Sequence, residues 1–220
     1  EICACLVGSE MCIRDRIYNG ATFKGQPVQS YVGGRNGRPL DGATPTSYYL
    51  RKHIVEATSF VTGSEMSYQH IFPFFRYAEV LLNYAEALAA ATQNPDFTGM
   101  KGEVEYTLSP REALNAVRAR YNMPGITETD YAAFVKRLRN ERRVELAFEG
   151  HRFWDIRRWK IGAETTKVYG LTITPQNDGS FSYMRSVIQQ RGWEDRMNFY
   201  PIADAELFKN HNLVQNDGWK

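Results

Sequence analysis

Between Pro73 and Ala91 the large side chains Tyr77, Leu81, Tyr84 and Leu88 recur at steps of four, three and four, with Ala78, Ala85 and Ala89 set beside them. That spacing puts them on one face of an α-helix. Large and small residues sharing a face let a second helix approach closely, so the rest of the chain has to supply helical partners. Two segments answer. Ser109-Pro110-Arg111-Glu112 combines an N-cap hydroxyl, a proline at the first helical position and a capping-box glutamate. Ala113, Leu114, Val117 and Tyr121 then form an inner face, and Asn122-Met123-Pro124-Gly125 stops the helix. Thr129 or Asp130 opens a longer helix through Tyr131, Phe134, Val135 and Leu138 to Glu149, and after the break at Gly150 a short aromatic and basic helix covers residues 151–160. The prediction is a mainly α fold of antiparallel helix pairs packed in a tetratricopeptide-like manner.

The flanks are of other kinds. Residues 17–70 are rich in Gly, Pro, Ser, Thr and Tyr, and Gly33-Gly34-Arg35-Asn36-Gly37-Arg38-Pro39 is dense in turn formers. No Gly-Lys-Ser/Thr ending or following helix supports a phosphate site in that loop. Residues 168–174 and 180–188 are β-rich and joined by the turn signal Pro175-Gln-Asn-Asp-Gly179, which predicts a small β-hairpin excursion. A short helix around 204–209 and an Asn-rich tail ending at Trp219 follow. The organisation read from this is a loop-rich part over 17–70, a helical part over 71–160, and a β arm with tail over 161–220.

Residues 1–16 stand apart. All three cysteines (Cys3, Cys5 and Cys12) lie there, without a histidine to complete a zinc shell. The run from Cys5 to Arg16 resembles translated sequencing-adaptor sequence, so these residues are read as an artefactual leader and given no chemistry.

Net charge is +2 over 220 residues, which does not make the broad basic field of a nucleic-acid binder. No run of about 18 apolar residues is present to span a bilayer as a helix. The densest polar cluster contains Glu141, Arg142, Glu145, Glu149, Arg152, Asp155 and Arg158. Glu141, Glu145 and Glu149 share a helical stripe, a pattern open to acid/base chemistry or to a structural role. Each carboxylate has an arginine three or four positions away: Glu141 with Arg137, Glu145 with Arg142, Glu149 with Arg152, Asp155 with Arg152 or Arg158. Such pairs stabilise a helix by about 0.2–0.5 kcal/mol each. They also lower carboxylate pKa values, against the need of a general acid. A structural ion-pair network is therefore the expectation. The four histidines are scattered, no serine nucleophile elbow occurs, and neither metal nor cofactor is called for.

The residues Arg76-Tyr77-Ala78-Glu79-Val80-Leu81-Leu82-Asn83-Tyr84-Ala85-Glu86-Ala87 resemble a hallmark helix of the RagB/SusD family. So does the run from Arg139 through Glu149-Gly150-His151-Arg152-Phe153-Trp154-Asp155 to Trp159, and the ending Tyr200-Pro201-Ile202 with Asn212–Asn216 and Gly218-Trp219 is similar to that family's C-terminus. The likeness covers residues 17–220 and the C-terminal part of the family. Ala203, His211 and Asp217 depart from it, standing where members commonly have proline. The resemblance implies a non-catalytic outer-membrane lipoprotein of Bacteroidetes-type bacteria, on the extracellular face, anchored by a lipid on a cysteine outside this chain. It also implies glycan or other nutrient capture and delivery to a TonB-dependent, SusC-like transporter. Sugar capture would use rings on loops, which selects Phe23, Tyr31 and Trp193, with Arg35 and Asn36 as hydrogen-bond donors. Two readings of other classes stand beside it. One is a helical adaptor for a protein partner, without a small ligand. The other is a glycoside hydrolase, which would need Glu145 or Glu149.

Overall fold

The computed structural model describes residues 22–23, 26–39, 52, 55, 62–63, 65–69 and 72–219. In chain order the elements are β1 (Thr22–Phe23), β2 (Gln26–Pro27), α1 (Tyr77–Thr92), β3 (Gly99–Lys101), β4 (Val104–Tyr106), α2 (Pro110–Ala119), α3 (Tyr131–Glu145), α4 (His151–Arg158), β5 (Lys167–Pro175), β6 (Phe181–Gln190) and α5 (Asp204–Lys209). They divide between two compact units. Among the described residues, one lies within 51–152 and the other within 22–39 and 153–219.

The first unit is built by α1 packing on α2 and α3. Ala78, Leu82, Ala85 and Ala89 of α1 bury against Ala113, Leu114 and Val117 of α2 and Phe134 and Leu138 of α3. Small alanines beside leucines bring the helices close, the packing that the α1 seam predicts. The capping box of α2 forms as read: Ser109 Oγ accepts from Glu112 N at 3.2 Å, and Glu112 Oε2 accepts from Ser109 N at 2.8 Å. Asp130 caps α3, its Oδ2 accepting from Ala133 N at 2.8 Å.

Four expectations change here. The first helix begins at Tyr77 and not near Pro73, because Arg76 is extended (φ −131°). Tyr77 consequently stands at the helix mouth, 75% exposed, outside the seam. Helix α2 ends at Ala119, so Tyr121 lies beyond it in a turn. Helix α3 stops at Glu145: Phe148 (φ 63°) and Gly150 (φ 83°) take left-handed backbone, which ends the helix before Glu149. In addition to the predicted hairpin, β3 pairs with β4 around Gly102 (φ 62°), and β1 pairs with β2.

In the second unit β5 and β6 form the predicted antiparallel hairpin, from Pro175↔Phe181 to Lys167↔Gln190, with a bulge between Val168 and Tyr169. The connecting turn is closed by Gln176 N donating to Ser180 O at 2.8 Å. The 28–39 loop is fastened to this hairpin, Val32 N donating to Ile173 O at 2.9 Å. Gly37 is needed where the loop crosses itself, since a Cβ there would lie 2.0 Å from Tyr31 O. In the tail the Gln215 amide pairs with both backbone groups of Ile202 (2.8 Å each), and Trp219 Nε1 donates to Arg196 O (3.0 Å) and Phe199 O (3.1 Å).

Candidate functional site

Three groupings in the described residues bear on function. The first is the carboxylate cluster, and it lies in the helical unit. Arg76 spans two acids, its Nη1 donating to Glu145 Oε1 at 2.8 Å and its Nε to Glu149 Oε2 at 2.9 Å. Lys52 completes the group, ion-paired with Glu149 and donating to the carbonyls of Glu145 (3.1 Å) and Ala147 (2.8 Å). Arg118 Nη1 meets Glu141 Oε2 at 2.5 Å, and Arg142 Nη1 donates to Asn83 Oδ1 at 2.6 Å. Because α3 ends at Glu145, Glu149 leaves the expected stripe and turns back onto Arg76. The expected Glu141–Arg137 pair is replaced as well, with Glu141 on Arg118 and Arg137 Nε on Glu128 Oε1 at 2.6 Å. Asp155 does pair with Arg158 (2.9 Å).

The electrostatics follow the geometry. Burial lowers the Lys52 pKa, and the Glu149 hydrogen bond and charge only partly offset it. For Glu149 burial acts upward, yet hydrogen bonds from Arg76 and Lys52 outweigh it and hold the carboxyl below its ordinary value. The same two carboxylates raise Arg76 against its burial. Glu141 goes the other way: burial raises it more than the single Arg118 contact lowers it. A raised carboxyl is what a general acid needs. This one is nearly sealed inside the helical unit, with its side chain 8% exposed. The cluster clamps the end of α3 and the turn after it to the start of α1 and to Lys52. Sequence spacing could not find Lys52 or Arg76, which lie roughly seventy or more positions from their acids. Among the described residues no three His, Cys, Asp or Glu side chains converge to hold a metal ion, and no helix is long and apolar enough to cross a membrane.

The second grouping is the 28–39 loop. Tyr31 is half-buried, its ring tilted against Phe181 at 5.3 Å between centroids. Asn36 Oδ1 accepts from Gln29 N at 3.2 Å, so it braces the loop; Arg35 is exposed. Phe23 lies in β1, and its side chain is outside the described residues.

The third grouping surrounds Arg157. Its guanidinium lies 3.6 Å from the Phe153 ring centroid, 5.3 Å from that of Trp193 and 5.6 Å from that of Tyr200. Trp193 is not a free loop ring: its indole lies against Gly162, where a Cβ would come within 1.8 Å of it. Trp154 and Tyr200 complete the cluster on its open side. Selecting rings on loops does not reach Trp154, which lies on α4, and Tyr200 enters the sequence analysis only as part of a motif. The loop residues Tyr31, Arg35 and Asn36 thus share one segment, and Trp193 belongs to this other cluster.

The SusD family model matches residues 15–219. The chain belongs to the SusD family. It is 33% identical over 146 residues to SusD-like protein P2 of Formosa agariphila, covering 64% of this chain and 24% of that protein. A crystal structure of a SusD-like protein from Bacteroides fragilis matches 88% of this chain and 34% of its own, at 30% identity and a TM-score of 0.68. A second from that species, a SusD-like carbohydrate binding protein, matches 78% of this chain and 34% of its own, at 31% identity and a TM-score of 0.54. The chain thus spans about a quarter to a third of the length of these relatives. Its mainly α, tetratricopeptide-like fold is the one these SusD structures share.

Proposed function

We propose that this chain is part of a non-catalytic carbohydrate receptor that captures oligosaccharide at the outer face of the outer membrane. The observation that carries the reading is membership of the SusD family, together with the likeness to a B. fragilis relative described as a carbohydrate binding protein. The ion cluster supports a scaffold role, since Glu145 and Glu149 are both engaged by cations and accept hydrogen bonds from them. In this reading residues 17–220 carry the family domain, Arg35 and Tyr31 on the 28–39 loop are ligand contacts, and Trp193 acts as a buttress. The bound glycan is handed to a TonB-dependent, SusC-like transporter, and a lipid anchor holds the receptor at the membrane.

Affinity gel electrophoresis against starch, laminarin, xylan, galactan and polygalacturonate tests the core of it. Retardation by one polysaccharide, without release of reducing ends, is the expected result. Association with a TonB-dependent transporter while every polysaccharide leaves mobility unchanged would favour the adaptor reading instead.

A further inference from the structure

We infer that Trp154 and Tyr200, fixed in place by Phe153 and Arg157, form a stacking platform for one or two sugar rings of an oligosaccharide. This rests on the carbohydrate-receptor reading and assigns it a site. Helix α4 presents itself inverted from Phe153 onward: Asp155 is 2% exposed, whereas Trp154 is 60% and Phe153 39% exposed, and Tyr200 joins them at 54%. Exposed rings grouped together, unlike a single exposed ring, mark a place that a ligand can cover.

The rings are already ordered. Phe153 stands edge-on to Trp154 (centroids 5.1 Å apart, 85° between planes), and Tyr200 closes the triangle at 5.7 Å from Phe153 and 6.1 Å from Trp154. Arg157 braces them from one side, its Nη1 donating to Phe153 O at 2.8 Å while its charge lies over the Phe153 ring. Little conformational freedom is left to lose on binding. A pyranose offers an apolar C–H face with hydroxyls around its rim. Ring faces match the first. The Trp154 Nε1 and Tyr200 OH groups match the second, since neither makes a hydrogen bond among the described residues.

Size separates this occupant from a protein. Three rings about half-exposed offer on the order of 200–400 Å², taking ~150–250 Å² for a whole aromatic side chain. A stable protein interface takes about 800 Å² from each partner. The patch is too small for the latter and large enough for a short stretch of sugar.

The test uses the full chain and the same five polysaccharides, with Trp154→Ala, Tyr200→Ala and, as a control ring exposed elsewhere, Phe208→Ala. Affinity for the retained polysaccharide should fall at least tenfold in the first two variants and stay within twofold in the control, with unchanged far-UV circular dichroism and urea midpoint. Retention within twofold in both platform variants would overturn the site while leaving the receptor reading in place. A lowered urea midpoint with loss of far-UV signal in those variants would show the rings to be packing, which also overturns it. A concentration-dependent dimer abolished by Trp154→Ala, with glycan affinity intact, would assign the face to a second copy instead. If wild-type chain is retained by none of the five, receptor and site fall together.

Discussion

Lys52 sits among oxygens that its own sequence neighbourhood gives no hint of. Two carbonyls and the Glu149 carboxylate receive its ammonium, and Arg76 holds the same carboxylate from another side. A buried pair of this kind adds little over an apolar one, but removing one partner strands the other charge. Glu149→Gln should therefore cost about 3 kcal/mol at pH 7, read as a lower urea midpoint, because Lys52 would keep its burial and lose its counter-charge. The acid limb gives a second readout. Glu149 lies below its ordinary value of 4.5 when folded, so its stabilisation is complete above that pH and drains as pH falls through the folded value. Glu141 is raised above 4.5, so its charged form is a cost at neutral pH that is relieved as pH falls toward 4.5. Wild-type acid unfolding mixes these opposed contributions, and the difference between wild type and Glu149→Gln isolates the first. A difference that stayed constant from pH 7 to pH 3 would refute the assignment of Glu149 to this clamp.

Elements were legible where their signals are local. Ser109, Pro110 and Glu112 lie within one turn of one another, and the capping box they spell is the one that forms. Ser109→Ala removes the acceptor for Glu112 N and leaves the Glu112 carboxylate a single partner there. Its expected cost is about 1 kcal/mol, measured as a shift in urea midpoint at constant slope. The hairpin of β5 and β6 was equally plain, because its turn residues and β-branched runs are contiguous. Helix ends were not, where a distant contact decides them. Arg76 leaves helical backbone, and its side chain reaches across to Glu145 and Glu149. Glu149 in turn leaves α3, although its spacing from Glu141 and Glu145 reads as one continuous stripe. The small β3–β4 hairpin is illegible because its strands are three residues each, too short for an alternating pattern to stand out. The candidate site was the least legible. Trp193 lies on a loop as read, and its packing on Gly162 depends on a contact across thirty-one residues that no periodicity announces. Trp154 was passed over because a ring on a helix is expected to face a core, and α4 turns that rule around.

At the scale of the whole chain, apolar burial is distributed unevenly. Among the described residues the fully buried apolar side chains come from α1, α2, α3 and the turns beside them, and the second unit contributes Ile173. Each buried leucine or phenylalanine supplies about 1.5–3 kcal/mol of transfer free energy, so the helical unit holds most of what resists opening. The second unit relies on hairpin hydrogen bonds, the Gln215 and Trp219 contacts of the tail, and ring packing at its surface. Local opening free energies track such differences. Backbone amides of α1, α2 and α3 should therefore be the slowest to exchange with deuterium. Those of β6 and α5 should exchange about a hundredfold faster, corresponding to about 3 kcal/mol less opening free energy. If the platform at Trp154 and Tyr200 binds sugar as inferred, the polysaccharide that the wild type retains should slow exchange selectively around 153–158 and 199–202 and leave the α1–α2 core unchanged. Uniform protection across both units, with or without polysaccharide, would mean that the chain opens as one cooperative body and that burial in the helices does not set its weak points.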